Sequence, residues 1–320
     1  MYDLQVRNKK ETLNENKKGK VIAVTILGNN SALPAHNRHP TSQIIQTDEH
    51  TFLVDCGEGT QMQMNVYKIR RSKINHIFIS HLHGDHYFGL IGLLTSLGLN
   101  NRLNDLHVYA PAELETIIQL QLDASGSLLP YSLYFHVLEN EGIIFEDHKF
   151  VVECFQVNHR ISCWGFKFME KKNLRKININ QAQKCNIPTS FYEKLHGGYD
   201  YINPQNEVIK NDLVTTPHVP AKSYAYCADT AYFEIICEKI KGVDLIYHEA
   251  TYLDDLQKKA MSRFHSTTKQ AALIAQKSGA KRLIIGHFSS MYNTLENFKE
   301  EACEVFENSE IAEEGVCYLA

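Results

Sequence analysis

His81-Leu82-His83-Gly84-Asp85-His86 sets three imidazoles and a carboxylate within six residues, a density of ligating groups whose plainest use is to hold metal ions. His81 and His83 can share one ion, and Asp85 and His86 a second one close by. Neutral imidazole nitrogen with carboxylate oxygen suits Zn²⁺ first, with Mn²⁺ or Fe²⁺ where carboxylate and water dominate. A solvated histidine-rich loop is the bland alternative; it suits one or two isolated histidines better than this pattern at a strand end. Three more polar residues, His159, Asp229 and His287, each directly follow a β-rich run. If they converge on the first cluster, His159 completes one ion with His81 and His83, His287 completes the other with Asp85 and His86, and Asp229 bridges the two. A bridging carboxylate holds two ions about 3.5–4 Å apart, the spacing that clamps a nucleophilic hydroxide for phosphodiester hydrolysis. Taken singly, each of these three residues reads equally well as structural.

The elements that must carry these groups alternate between strand and helix. Asn75 to Ser80 is an apolar β-rich run and Tyr87 to Leu99 suits a helix, so the first cluster occupies a strand-to-helix loop. Such a loop, fixed at both ends, is a good place for a coordination shell. Upstream lie a strand at Val21–Leu27, a hairpin of Ser42–Thr47 with Thr51–Asp55, and a helix from about Gln61. Downstream come a strand at Leu106–Ala110, a helix opened by Pro111, strands within Tyr131–Val157 and another at Ser162–Met169. Ser223–Cys227 then leads to Asp229, a helix spans Tyr232–Ile240, and Val243–Tyr247 is a strand. Arg263 to Thr268 caps a helix reaching Ser278, and Arg282–Gly286 is expected as the last core strand, delivering His287.

The chain has 320 residues, 43% of them hydrophobic and 22% charged, which is ordinary globular composition with room for a sizeable core. A net charge of −4 means that any nucleic-acid partner must be met by a local basic patch. Residues 167–210 supply one, with eight Lys or Arg against four Asp or Glu. This stretch, about 170–210, looks like an arm inserted into the core, in which Lys171, Lys172, Arg175, Lys176, Lys184 and Lys194 could hold phosphates while Tyr192, Tyr199 and Tyr201 stack. The bland reading is a solvated surface excursion. Residues 1–20 read as a flexible tail. The eight cysteines include no CxxC pair, which argues against a zinc ribbon. No signal-peptide core and no run near the ~18 apolar residues of a membrane span is present, so a cytoplasmic location with reduced thiols is expected.

The His81–His86 motif matches the metallo-β-lactamase superfamily, and the flanking stretches resemble the ribonuclease Z family of tRNA 3′-processing endonucleases. Those stretches are Pro34 to Gln61 around Asp55-Cys56-Gly57-Glu58, Tyr226 to Thr230, His248-Glu249-Ala250-Thr251, His265-Ser266-Thr267 and His287 to Ser290, so the likeness covers roughly 21–320. The six-residue motif alone identifies only the superfamily; the HEAT tetrapeptide with the later His-Ser-Thr is far more specific. The resemblance implies an α+β fold, a four-layer αββα sandwich over 21–320 with two zinc ions per subunit between the sheets and the same seven ligands. It implies that Asp85 also serves as general base, and that His265, oriented by Glu249, helps neutralise the leaving oxygen. It further implies precursor tRNA as substrate, an arm that grips the tRNA elbow, and a homodimer, as in short members of the family. Two departures stand out: Thr189-Ser190 where the arm tip often has Gly-Pro, and Met291 where an arginine often contacts phosphate, which leaves Ser289, Ser290 and Lys222 to carry more of that contact. A small-molecule hydrolase of the same fold, such as a thioesterase, lactonase or arylsulfatase, would share the metals but has no use for a basic arm together with the His265 element. A metal-binding or RNA-binding module without activity has no need of so complete a ligand set.

Overall fold

A computed structural model describes residues 22–171, 175–217 and 220–320; the tail at 1–20 and Lys172 lie outside the described residues. The strands in chain order are β1 (Ala23–Gly28), β2 (Ser42–Gln46), β3 (Thr51–Cys56), β4 (Ile74–Phe78), β5 (Leu106–Ala110), β6 (Leu133–Val137), β7 (Gly142–Glu146), β8 (Phe150–Gln156) and β9 (Trp164–Glu170). Four two-residue strands follow, β10 (Lys176–Ile177), β11 (Tyr201–Ile202), β12 (Val208–Ile209) and β13 (Thr215–Thr216). The last five are β14 (Ser223–Cys227), β15 (Leu245–Glu249), β16 (Arg282–Gly286), β17 (Ser309–Ile311) and β18 (Cys317–Leu319).

Two seven-stranded mixed sheets result, in the orders β18-β1-β2-β3-β4-β5-β6 and β17-β16-β15-β14-β9-β8-β7. Period-two alternation decides what each strand buries. Leu53, Ile77 and Val108 face outward under Leu90, Leu93, Leu94, Leu114 and Ile118 of helices Leu90–Leu99 and Glu113–Ser125. Their neighbours Phe52 and Phe78 face inward onto Phe166 and Phe168 of the second sheet, with ring centroids 5.4–5.6 Å apart. These four rings are fully buried, and truncating any one of them to Ala should cost about 3–5 kcal/mol. Helix Thr268–Ser278 buries Ala271, Ala272, Ile274 and Ala275. Its ends are specified locally, by a reciprocal Thr267/Gln270 cap and by Gly279 in the left-handed conformation, φ +68°. The architecture is the expected α+β sandwich of two sheets between helices.

Three expectations about elements need correction. The run from Tyr87 to Leu99 is not one helix: Gly84–Tyr87 forms a first turn and Leu90–Leu99 a second helix, because the chain packs tightly at Gly89, whose N–H meets Cys56 O at 2.9 Å. A Cβ on Gly89 would lie 2.2 Å from Gly57 O, so only glycine allows this approach. The helix placed at Tyr232–Ile240 contracts to Ile236–Lys239. Arg282–Gly286 is not the last core strand, since β17 pairs with β16 and β18 with β1, one on each sheet.

The chain's contacts divide it into two units, one of Val21–Glu146, Val151–Met169 and Lys222–Ala320, the other including Asp147–Phe150 and Glu170–Ala221. The inserted segment therefore runs past residue 210 and has a small core of its own. Ala182, Ile187, Leu195 and Val214 are buried there against Ile177, Phe191, Tyr201 and Ile209. Its helices have four to six residues each, too short for a helical period to show in sequence. Arg175 is tied into this unit, donating to Thr215 Oγ1 at 2.7 Å and pairing with Asp212.

Candidate metal centre and catalytic residues

The site residues sit at or just beyond the C-terminal ends of strands in both sheets: Asp55 is the penultimate residue of β3, His81 follows β4, His159 follows β8, Asp229 follows β14, Glu249 ends β15 and His287 follows β16. Asp55 and His287 both hold left-handed backbone angles, φ +52° and +60°, strain that non-glycine residues carry where side-chain placement demands it.

Seven side chains converge in two sets. His83 Nδ1 stands 3.0 Å from His81 Nε2 and 3.2 Å from His159 Nε2, with Asp229 Oδ2 3.6 Å from the former and 4.0 Å from the latter. In the second set His86 Nε2 and His287 Nε2 are 3.4 Å apart, and Asp85 Oδ2 lies 3.6 and 3.3 Å from them. Asp229 Oδ1 lies 3.4 and 3.2 Å from the same two nitrogens. One oxygen of Asp229 thus serves each set.

This arrangement fits metal ions. Asp229 Oδ1 is buried without a hydrogen-bond partner, and ligand nitrogens this close tolerate one another only around a shared proton or cation. Burial drives His81 well below the ordinary imidazole value and lowers His83 and His159, so all three are neutral and able to ligate. Burial also opposes a charge on His86, yet Asp229, Asp85 and Asp55 raise it well above the ordinary value: the second set is an anionic pocket that favours a cation.

A surrounding layer fixes each ring. Asp55 Oδ2 lies 2.8 Å from His86 Nδ1 and also accepts from Ser80 Oγ (2.8 Å) and Tyr226 OH (2.6 Å). With Nδ1–H committed to a carboxylate, Nε2 is left as the ligand atom. His159 Nδ1 donates to Phe264 O (2.9 Å), and His287 Nδ1 meets Thr251 Oγ1 (3.0 Å), which donates on to Glu249 Oε2 (2.9 Å). Asp85 Oδ2 accepts from Ala32 N at 2.7 Å. Of these supporting residues Asp55, Tyr226, Glu249 and Thr251 fell within motifs noticed in the sequence, though only Glu249 with an orienting role; Ser80 and Ala32 gave no signal of this use.

His265 joins Asp229 and His287 in a third such group, and its Nδ1–H is held by Glu249 Oε1 at 2.9 Å. The fully buried Glu249 is saturated, accepting on Oε1 from Thr230 N and Ser266 N as well and on Oε2 from Thr251 N and Oγ1. Burial works against protonating His265, but Glu249 prevails and pushes its value up to about 9. Ser289 and Ser290 follow His287 and are half-buried, with Ser290 O held by His36 Nε2 (2.9 Å). Lys222 is not brought to the site: it precedes β14, whose opposite end carries Asp229, and it pairs with Asp244 at 3.8 Å. Lys176, Lys184 and Lys194 are exposed on the inserted unit, Lys194 lying over the Phe191 ring, and Lys171 is half-buried there.

Comparison with known proteins bears on the same residues. The sequence profile described as "Beta-lactamase superfamily domain" matches 164–288, and that of "Anti-Pycsar protein Apyc1" matches 22–175. The Ribonuclease Z of Bacteroides thetaiotaomicron is 40% identical over 294 residues, covering 91% of this chain and 93% of that protein. That of Cytophaga hutchinsonii is 42% identical with the same coverage. The chain belongs to the ribonuclease Z family. The crystal structure of the short form of human tRNase Z superposes with a TM-score of 0.67 at 25% identity, over 92% of this chain and 98% of that one. A long-form RNase Z from yeast superposes at 0.65 with 17% identity, sharing the fold over 95% of this chain and 42% of its own length. In the present chain the converging His and Asp groups are arranged as metal-ion candidates, and among the described residues no helix is long and apolar enough to cross a membrane.

Proposed function

We propose that this protein is a zinc-dependent endoribonuclease that removes 3′ trailers from precursor tRNA and leaves a 3′-OH on the tRNA. The observation that carries this reading is the divided carboxylate of Asp229, one oxygen to each histidine set, which calls for two Zn²⁺ per subunit with His81, His83 and His159 on one and Asp85, His86 and His287 on the other. Likeness to the ribonuclease Z family supports precursor tRNA as the substrate, and a cytoplasmic homodimer is part of the same proposal.

When bound, such ions would activate the attacking water and polarise the scissile phosphate. The chain's own residues do the rest. Burial pushes the Asp85 carboxyl up, but His86 and His287 draw it far below the usual carboxylate range, so it stays ionised and orients water as a hydrogen-bond acceptor. His265, protonated at neutral pH and anchored through Nδ1, has Nε2–H free to donate to the departing 3′-oxygen. Exposed Lys176, Lys184 and Lys194 on the inserted unit, together with Lys171 and Lys172, supply cations for tRNA phosphates, while Arg175 mainly braces the unit itself. Half-buried Ser289 and Ser290, next in sequence to His287, offer hydroxyls to phosphate in this reading.

Incubation with a 3′-extended precursor tRNA, followed by mapping of the cut and its ends, tests the proposal. A 3′-OH on the tRNA and a 5′-phosphate on the trailer are expected. An intact precursor alongside rapid hydrolysis of a thioester or lactone would assign the protein to small-molecule chemistry instead.

A further inference from the structure

The core neutralises many of its cations in pairs, as with Lys269 and Glu304 (2.7 Å), Lys281 and Asp244 (2.7 Å), and Arg282 and Glu310. Lys68-Ile69-Arg70-Arg71-Ser72-Lys73 departs from this habit. It sets four cations within six residues, and among the described residues no carboxylate lies within ion-pair distance of any of them. The run joins helix Thr60–Val66 to β4 and, with the end of helix Leu90–Leu99, walls a cavity of about 590 Å³. Arg70, Arg71, Arg102 and the amides of Asn65, Asn100 and Asn101 line it, and no acidic side chain does.

Arg102 deepens the imbalance. It is only 7% exposed, and its guanidinium donates to four neutral oxygens, those of Ile74 (2.9 Å), Asn104 (2.7 Å), Asp105 (2.6 Å, backbone) and the Asn75 side chain (2.8 Å). With the Gln61 amide turned to satisfy both its ends, Arg71 Nη1 donates to its oxygen at 2.9 Å, which fixes that arm at the rim. Arg70 has no side-chain partner among the described residues. Ile69, Leu97 and Leu103 share the lining, and the donors left for a ligand are those of Arg70, the outer arm of Arg71 and the Asn amides, an acid-free set with the chemistry that recognises phosphate.

We infer that this cavity is a second phosphate-binding site, separate from the metal centre, taking phosphates of an RNA backbone or of a small phosphorylated ligand. Lys73 precedes β4 and His81 follows it, so at about 3.3 Å per extended residue the cavity lies on the order of 25 Å from the metal ligands. A phosphate bound here touches no reacting atom; it holds a distant part of a substrate or a separate molecule. Only the RNA source rests on the proposed function, and the phosphate chemistry stands without it.

The test uses the zinc-loaded full chain and the double variant Arg70→Glu/Arg71→Glu, with Arg70→Ala/Arg71→Ala as the milder pair. Hydrolysis of bis(p-nitrophenyl) phosphate should be unchanged in both, which shows an intact centre. If RNA backbone is the ligand, precursor tRNA binds more weakly and the slope of log affinity against log salt falls by about two units, one per lost contact. If the ligand is small, that slope stays and calorimetry with inorganic pyrophosphate loses a binding event by at least tenfold. Variants that match the parent in both the salt slope and the pyrophosphate titration overturn the inference.

Discussion

Asp55 Oδ2 stands 2.8 Å from His86 Nδ1, and the same carboxylate gathers Ser80 N, Ser80 Oγ and Tyr226 OH, so one fully buried acid orients a candidate ligand it never shares with the metal. Asp55→Ala should therefore weaken metal binding about 10–100-fold while all seven ligands remain. Competition with a chelator measures this, and unchanged affinity would mean that packing alone orients His86.

Elemental analysis should find about two zinc ions per chain. Asp229→Ala should lower occupancy in both sets, because its oxygens reach both, whereas His159→Ala should deplete mainly the set built on His81 and His83. Protein that is folded and active with almost no metal would sink the dinuclear reading.

The seven candidate ligands were readable in the sequence because four crowd into His81–His86 and the other three, His159, Asp229 and His287, each follow a β-rich run, and strands that end together bring such residues to one edge. Residues acting through them were harder to see. Asp55 owes its role to a left-handed backbone turn, and Ala32 contributes only its N–H, which no side-chain pattern reports. β17 and β18 escaped notice because three residues cannot display an alternation. In the inserted unit the charge was legible but its core was not, since Ala182, Ile187, Leu195 and Val214 come from separate single turns.

His265→Ala should keep its zinc and lose about 10²–10⁴ in turnover, the range of a missing acid–base partner. Zinc retention and single-turnover cleavage of precursor tRNA report the two effects separately. Cleavage at the parent rate would leave His265 as no more than the residue preceding the helix cap at Thr267.

The pH profile should show where the leaving-group proton is lost. His265 is held near 9 against burial by Glu249, so turnover should fall as pH rises through about 9. Glu249→Gln removes the charge that raises it, and the falling limb should move to lower pH. A limb at the same position in both proteins would place that titration elsewhere.

Replacing Glu170–Ala221 by a short linker should leave the metal content and the hydrolysis of bis(p-nitrophenyl) phosphate intact, since that segment has a buried cluster of its own. Precursor tRNA should bind much more weakly and with a flatter salt dependence. Equal affinity and slope would make the segment surface decoration.

β17 and β18 complete opposite sheets from within a dozen residues of one another, and Asn29 reaches across 283 positions of sequence to donate to Ala312 O. On the ribosome, both edges stay open until residues 309–319 have emerged, so the strand ends that carry the ligands are framed only late in synthesis. The inserted unit, whose contacts are local, is free to fold earlier. His287 is the last of the seven candidate ligands in chain order, so the set built on Asp85 and His86 stays incomplete until residue 287 has emerged.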